Sequence, residues 1–144
     1  MTDFTMQTDA DGVAIITWDV PGKSMNVMSI DGLSELDALI DQALADDTIK
    51  GVVITSGKEG SFAGGMDLNL LATLKAEAGD EPAKGLFEGT MRMHTLLRKI
   101  ERAGMDAKTN KGGKPIASAL PGTAAGIGLE LPLATHSSFA TENP

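Results

Sequence analysis

The first residues of the chain alternate between apolar and polar positions in the way that β-strands require. Two β-rich runs, residues 4–7 and 13–18, flank the sequence DADG at 9–12, where glycine can supply the positive φ of a tight turn. This pattern predicts an N-terminal β-hairpin. Asp9 and Asp11 also faintly resemble a calcium-binding loop, but the other oxygen ligands and the closing glutamate of that motif are missing, which favours the turn.

A helical period follows the hairpin, and a continuous apolar run follows the helix. Ser29 is a suitable N-cap, Asp31 and Glu35 lie near the positive end of the predicted helix, and residues 51–55 read GVVIT. Such a strand is typical of a parallel sheet that is covered on both faces. The order strand, helix, strand therefore predicts an α/β fold. The apolar stripe of the helix comprises Ile30, Leu33, Leu36, Leu39, Ile40 and Leu44.

The second half of the chain contains one further long helical pattern. The polar, turn-rich residues 75–84 predict a surface loop, and a helix is expected over residues 86–102. His94 lies beside the apolar face of that helix, where a position without chemistry is the simpler interpretation. Residues 105–113 predict a solvated basic loop or, more weakly, a contact for an anionic ligand, and a strand follows at 115–120. The apolar face of the helix comprises Leu86, Met93, Leu97 and Ile100.

Composition argues against several classes of partner. The 144 residues carry a net charge of −8 and have a pI near 4.6, which disfavours binding to nucleic acid or to an anionic membrane. The sequence shows neither an apolar run of about 20 residues nor the start of a signal peptide, so a cytoplasmic location is expected. The chain has no cysteine and its two histidines, His94 and His136, are far apart, so thiol and zinc chemistry are not expected.

A strand that leads into a glycine-rich turn carries the strongest chemical signal. After the strand at 115–120, small residues leave the backbone uncovered as far as Gly128, and N–H groups at the start of a helix suit a group that develops negative charge. A phosphate site is the rival interpretation. However, Leu131 stands where a G-x-G-x-x-G motif needs its third glycine, and Thr17 stands where a Walker A loop ending at 22–24 needs its first.

Glu130 is the one carboxylate in this apolar region. It is either a group that exchanges protons with a ligand or an acid that the helix dipole favours in a first turn. A second glycine-rich turn, SFAGGMDL at 61–68, follows the strand at 51–55 and precedes a helical start at Leu70 and Leu71. Two strand-to-helix turns of this kind can present N–H groups to one oxygen from opposite sides.

Both turns resemble segments of the enoyl-CoA hydratase (crotonase) family. SFAGGMDL is similar to the family's aromatic-x-Ala-Gly-x-Asp-Leu/Ile segment, and KPIASALPGTAAGIGLEL at 114–131 is similar to its Lys-Pro segment that ends in Glu-Leu. The hairpin and an asparagine-containing loop at 22–29 precede them in the family's order. The resemblance implies an α/β spiral of β-β-α units, of which residues 1–144 would be the N-terminal part, truncated before the C-terminal helices.

The family stabilises an enolate or a similar oxyanion at the thioester oxygen of acyl-CoA with two backbone N–H groups. The resemblance assigns these donors to Met66 and Ile127, although the family usually has glycine at the second position. Asn26 matches the asparagine of the loop, where it would hold the turn. The residues that the resemblance places around the thioester and CoA are Lys23, Ser24, Met25, Val27, Ala63, Gly64, Gly65, Asp67, Leu68, Gly126 and Gly128.

Glu130 matches the first of two glutamates that position and activate water in the hydratases. The second lies in a Gly-x-Pro-Glu turn that the chain does not reach, and Glu142 precedes that turn and is no substitute. The resemblance therefore implies an enoyl-CoA hydratase, a lyase of fatty-acid β-oxidation and lipid metabolism, and we expect the 144 residues alone to be inactive. The alternatives are a Δ3,Δ2-enoyl-CoA isomerase and a non-catalytic module that binds CoA thioesters.

The segment 75–113 and the sequence MNVMS at 25–29 are most similar to the hydratase region of multifunctional fatty-acid oxidation complex α subunits. In those proteins an NAD-dependent 3-hydroxyacyl-CoA dehydrogenase follows, so NAD is implied only for a further domain. CoA is part of the substrate, and no other cofactor is expected. The family also implies a homo-oligomer for the full-length protein.

Overall fold

A computed structural model of the chain describes residues 2–70, 72, 76 and 81–142. Its main helices, in our numbering, are α1 (Ile30–Ala45), α2 (Pro82–Arg102) and α3 (Ile127–Ala134). None of the described helices combines the length and hydrophobicity that a bilayer crossing requires. The strands are β1 (Phe4–Thr8), β2 (Val13–Trp18), β3 (Gly51–Ser56), β4 (Ser61–Ala63), β5 (Ile116–Leu120), β6 (Thr123–Ala124) and β7 (Ser137–Ala140).

The strands form two sheets. A five-stranded sheet has the order β1-β2-β3-β5-β7, in which β1 and β2 are antiparallel and every later pair is parallel. The predicted hairpin is confirmed: Asp9 Oδ1 accepts hydrogen bonds from the amides of Asp11 and Val13, and Gly12 has φ +85°. The carboxylate of Asp9 thus holds a turn. A separate sheet pairs β4 with β6 in parallel.

The core lies between the large sheet and the helices. Trp18 at the end of β2 stacks on Phe4 of β1 with ring centroids 5.2 Å apart, and it meets Phe62 of β4 edge-on at 6.0 Å. All three rings are buried, so they join the two sheets through apolar contact. This contact places the end of β2 next to the turn that follows β4.

Helix α1 forms as the sequence predicts. The Oγ of Ser29 accepts a hydrogen bond of 2.9 Å from the amide of Gly32, which caps the helix start. Leu33, Leu36 and Ile40 of the predicted stripe are buried. The other end is held by Lys114, whose Nζ donates to the carbonyl oxygens of residues 43 and 46 at 2.9 and 2.6 Å.

Helix α2 differs from the prediction at its start. It begins at Pro82, four residues before the predicted position, because proline lacks an N–H and fits the first turn of a helix. Half of the surface loop predicted at 75–84 lies outside the described residues, and residues 76 and 82–84 are helical. Leu86 of the predicted apolar face is 48 % exposed and borders a cavity, whereas Leu96 is buried.

Lys99 of α2 connects this helix to α1. Its Nζ lies 2.6 Å from Asp37 Oδ1 and 2.8 Å from Asp41 Oδ1. Partial burial lowers the pKa of Lys99, but hydrogen bonds to the two carboxylates outweigh it, so the pKa stands above its ordinary value. Because the pKa is raised in the folded chain, these ion pairs stabilise it below the ordinary lysine pKa, and their contribution disappears as the pH rises through the folded pKa.

The capping interaction at α1 yields a stability prediction. Replacing Ser29 with alanine should lower the free energy of unfolding by about 1 kcal/mol, because the amide of Gly32 loses its acceptor. Ser34→Ala is the matched control, since the Ser34 hydroxyl only donates to the carbonyl of Ile30 within an exposed turn of the same helix. Urea unfolding followed by circular dichroism measures both variants. Equal losses for the two variants would contradict the cap assignment.

Candidate active site

A buried asparagine holds together the ends of three strands. The Asn26 side chain is fully buried, and its Oδ1 accepts a hydrogen bond of 2.9 Å from the amide of Val20 just after β2. Its Nδ2 donates to the carbonyls of Trp18 and Phe62 at 2.8 and 2.9 Å and lies 3.0 Å from Ser56 Oγ. Asn26 therefore does more than hold its own turn. It fixes the positions of β2, β3 and β4 where the loops begin.

The turn after β4 is fastened to the loop that contains Asn26. The amide of Gly64 donates to the carbonyl of Asn26 at 2.8 Å, and a Cβ on Gly64 would overlap the sulfur of Met25. On either side of Met66, the carbonyl of Gly65 accepts from Met28 and the amide of Asp67 donates to Met28, at 2.8 and 2.9 Å.

These bonds leave the amide of Met66 available. Successive peptide groups of an extended segment point to opposite sides, so the N–H of Met66 faces away from Met28. Within the part of the chain that the structure describes, this N–H donates no hydrogen bond. A backbone donor held in fixed geometry without an acceptor is the element that an anion or oxyanion site needs.

The turn before α3 presents a second donor of the same kind. Gly126 adopts φ +53° and ψ −130° at the N-cap, a conformation that favours glycine. The amides of residues 128, 129 and 130 bond back to Ala125 and Gly126, whereas Ile127, the first helical residue, has no acceptor in its own helix. Among residues 2–70, 72, 76 and 81–142, the N–H of Ile127 has no partner.

The two turns are in backbone contact. The amide of Ala125 donates to the carbonyl of Ala63 at 3.0 Å, next to the pairing of β4 with β6. A Cβ built on Gly126 would lie 3.4 Å from the Cα of Gly65. The two free amides, those of Met66 and Ile127, each follow directly after one of these touching glycines. Two such turns were expected from the sequence, and the structure brings them together.

Comparison with known proteins identifies relatives by sequence. No family model matches the chain. The chain is 36 % identical over 140 residues to a fatty acid oxidation complex subunit alpha of Idiomarina loihiensis and 35 % identical over 133 residues to that of Shewanella frigidimarina. The matches cover 97 % and 92 % of this chain but only 18 % and 17 % of those relatives.

Solved structures of enoyl-CoA hydratases superpose on the chain. An enoyl-CoA hydratase from Bacillus anthracis superposes with a TM-score of 0.76 at 20 % identity, over 96 % of this chain and 47 % of the other. An enoyl-CoA hydratase/isomerase from Xanthobacter autotrophicus gives 0.78 at 24 %, over 98 % and 46 %. The chain has the crotonase fold and is similar in sequence to the N-terminal part of fatty acid oxidation complex α subunits. The α/β class predicted from the sequence is thus confirmed.

In this crotonase-fold chain, the predicted substrate-binding residues fall in the loop that contains Asn26 and in the two turns. Lys23 and Ser24 are exposed, Met25 is 38 % exposed, and Val27 is half-buried. Asp67 shapes its turn, since its Oδ1 accepts from the amide of Asn69 at 2.9 Å. The others lie within the two turns or beside them: Ala63, Gly64, Gly65, Leu68, Gly126 and Gly128.

Glu130 occupies the first turn of α3, three residues after Ile127. Its side chain is exposed, so both interpretations from the sequence still apply: an acid favoured by the helix dipole and an acid accessible to a ligand. His94 is also exposed, on α2, in keeping with a position that carries no chemistry. His136 supports the fold instead, because its Nδ1 accepts from the amide of Ile116 and its Nε2 lies 3.1 Å from the carbonyl of Glu101.

The sequence analysis did not anticipate a small cavity beside the first turn. It has a volume of about 160 Å³ and lies between the segment 66–70 and helix α2. Its residues come from elements that are far apart in the chain, so no local motif signals it. The lining residues are Met66, Asp67, Leu68, Leu70, Leu86, Gly89, Thr90 and Met93.

The role of Asn26 can be tested by stability. Asn26→Ala leaves the amide of Val20 and the carbonyls of Trp18 and Phe62 buried without their partner. Each such group costs about 1–3 kcal/mol, so we expect a loss of at least about 3 kcal/mol in urea unfolding. Asn26→Asp keeps the acceptor for Val20 but removes both donated bonds, and it should also destabilise. A loss below about 1 kcal/mol for Asn26→Ala would show that these bonds do not hold the strand ends.

Proposed function

We propose that the two turns form an oxyanion hole for the carbonyl oxygen of an acyl-CoA thioester. The donors would be the backbone N–H groups of Met66 and Ile127. The supporting observation is that each amide is free and follows a glycine in backbone contact with the other turn. Donors fixed before the reaction stabilise developing negative charge without the cost of reorganising solvent.

The rest of the site would bind the thioester and its CoA. The exposed loop residues Lys23, Ser24 and Met25, with Val27, would lie along CoA, and Lys23 would meet a phosphate. Small residues in the two turns would let the thioester approach the backbone. This assignment draws on the relatives, whose names refer to fatty acid oxidation and to enoyl-CoA hydratase. The proposed contacts around the thioester are Ala63, Gly64, Gly65, Asp67, Leu68, Gly126 and Gly128.

The proposed reaction is the addition of water to a 2-enoyl-CoA. A carboxylate takes a proton from water as the water oxygen bonds to the β-carbon. The electrons of the carbon–carbon double bond are displaced towards the carbonyl, and negative charge develops on the thioester oxygen between the two amides. An acid then protonates the α-carbon and restores the carbonyl. Glu130 would supply one of these carboxyl groups. The reaction involves no net oxidation or reduction, so it needs no redox cofactor, and CoA is part of the substrate.

By resemblance to the hydratases, the second carboxyl group would come from a Gly-x-Pro-Glu turn, a sequence that the 144 residues do not contain. We propose that this chain alone binds thioesters without efficient turnover. The chain spans 18 % of the length of the Idiomarina relative. We therefore only propose, for this protein, the activity, the oligomeric state and any NAD-dependent step of a whole protein of that type. An enoyl-CoA isomerase would use the same pair of amides with a different arrangement of carboxyl groups.

Crotonyl-CoA tests this proposal through binding and turnover. We expect the 144-residue chain to bind crotonyl-CoA in calorimetry and to hydrate it poorly. A longer form that carries the Gly-x-Pro-Glu turn should be active, and Glu130→Gln in that form should lower kcat by about 10²-fold or more, because general acid–base assistance contributes about 10²–10⁴-fold. Glu101→Gln on α2 is the control for loss of one exposed carboxylate.

Each variant is first checked for folding by circular dichroism. Efficient hydration by the short chain would contradict the need for a second acid. An unchanged kcat for Glu130→Gln in the longer form would show that Glu130 is an acid favoured by the helix dipole and that the catalytic carboxyl group lies elsewhere.

A further inference from the structure

A second, larger depression lies behind the small cavity. It is a groove of about 490 Å³ between α1 and α2. Apolar side chains form much of its wall, and Ser34, Asp37, Glu88 and Arg92 add polar groups. Phe87 and Met91 project from α2 with 65 % and 44 % of their surface exposed. The apolar lining residues are Ile30, Leu33, Leu70, Phe87, Met91 and Leu96.

Among the described residues, the cavity and the groove share two wall residues. Leu70 and Gly89 line both of them, so these residues form the partition between the space beside Met66 and the groove between the helices. Leu70 is 6 % exposed and fills its part of the partition with an apolar side chain. Gly89 fills none of its part, because it has no side chain.

The glycine at position 89 is not explained by the backbone. It lies in the interior of α2 in helical conformation, so no left-handed φ requires it. Glycine in a helix interior costs about 1 kcal/mol relative to alanine. Gly89 lines both spaces, so the absence of a side chain between them is a physical reason for a glycine at this position.

We propose that the cavity and the groove form one path for the acyl chain, and that Gly89 and Leu70 set the accepted chain length. This inference rests on the proposed thioester site, since the path starts at Met66. A cavity of roughly 150 Å³ holds benzene, so the space of about 160 Å³ beside Met66 takes a tail of about six carbon atoms. Longer tails pass Gly89, against Leu70, into the groove between α1 and α2.

The path makes binding depend on chain length in a specific way. Each buried methylene is worth about 0.8 kcal/mol, which corresponds to a roughly fourfold gain in affinity. The gain should continue beyond the length that fills the small cavity, because the groove offers further apolar surface. Closing the partition at Gly89 should end the gain at short lengths.

Saturated acyl-CoAs with 4, 6, 8, 10 and 12 carbons serve as probes, because they bind without being hydrated. Calorimetry below their micelle concentrations gives Kd for the chain and for Gly89→Leu. We expect the ratio of C12 to C4 affinity to fall at least about tenfold in Gly89→Leu. Gly85→Leu is the matched control: it lies one helical turn earlier in α2 and lines neither space, so its ratio should stay near that of the parent chain.

A second variant keeps the inference testable if Gly89→Leu does not fold. Leu70→Ala removes most of an apolar side chain from the partition and so widens the opening between the cavity and the groove. This variant should raise the affinity for C10 and C12 relative to C6. Affinity that is flat from C4 to C12, or equal ratios for the variants at 85 and 89, would overturn the shared path and leave the thioester site standing. Failure of every acyl-CoA to bind the folded chain would overturn both the thioester site and the path.

Discussion

The hydrogen bonds of Asn26 are the constraint on which the site depends most. A buried amide must satisfy its donors and acceptor, and Asn26 does so with the ends of β2, β3 and β4. Its own carbonyl also accepts from Gly64, so the turn that carries Met66 is attached to the same residue. The geometry of the first free amide therefore follows from a side chain more than thirty residues away from that turn in sequence.

Close backbone packing then brings in the second turn. A Cβ at Gly128 would lie 2.7 Å from the carbonyl oxygen of Ala63, and one at Gly122 would overlap the carbonyl of Gly60. These contacts require small residues on both segments, which is why the sequence there reads as a glycine-rich motif without matching a nucleotide-binding pattern. The glycines allow one turn to approach the other, and the amides of Met66 and Ile127 have no partner among the residues that the structure describes.

The sequence predicted the elements that local patterns encode. The hairpin and α1 have a clear period together with a turn or a cap, and the structure confirms both. Strands β4, β6 and β7 were not predicted, because they are two to four residues long and exist through pairing with distant segments. Periodicity placed Leu86 on the apolar face of α2, but it does not show how far the neighbours of that face extend, and Leu86 is half exposed.

The candidate site was accessible from sequence only in part. The two turns carry small residues in a recognisable order, so Met66 and Ile127 could be named through a family resemblance. The structural role of Asn26 and the partition formed by Leu70 and Gly89 could not, because each depends on contacts between elements far apart in the chain. A single glycine in a helix gives no sign of which spaces lie on either side of it.

A crystal structure of the chain with butyryl-CoA would locate the thioester oxygen directly. We predict that this oxygen lies about 3 Å from both the amide nitrogen of Met66 and that of Ile127, within hydrogen-bonding distance of each. A thioester oxygen that contacts only solvent, or two amide nitrogens more than roughly 6 Å apart, would contradict it, since one oxygen could not then accept from both donors.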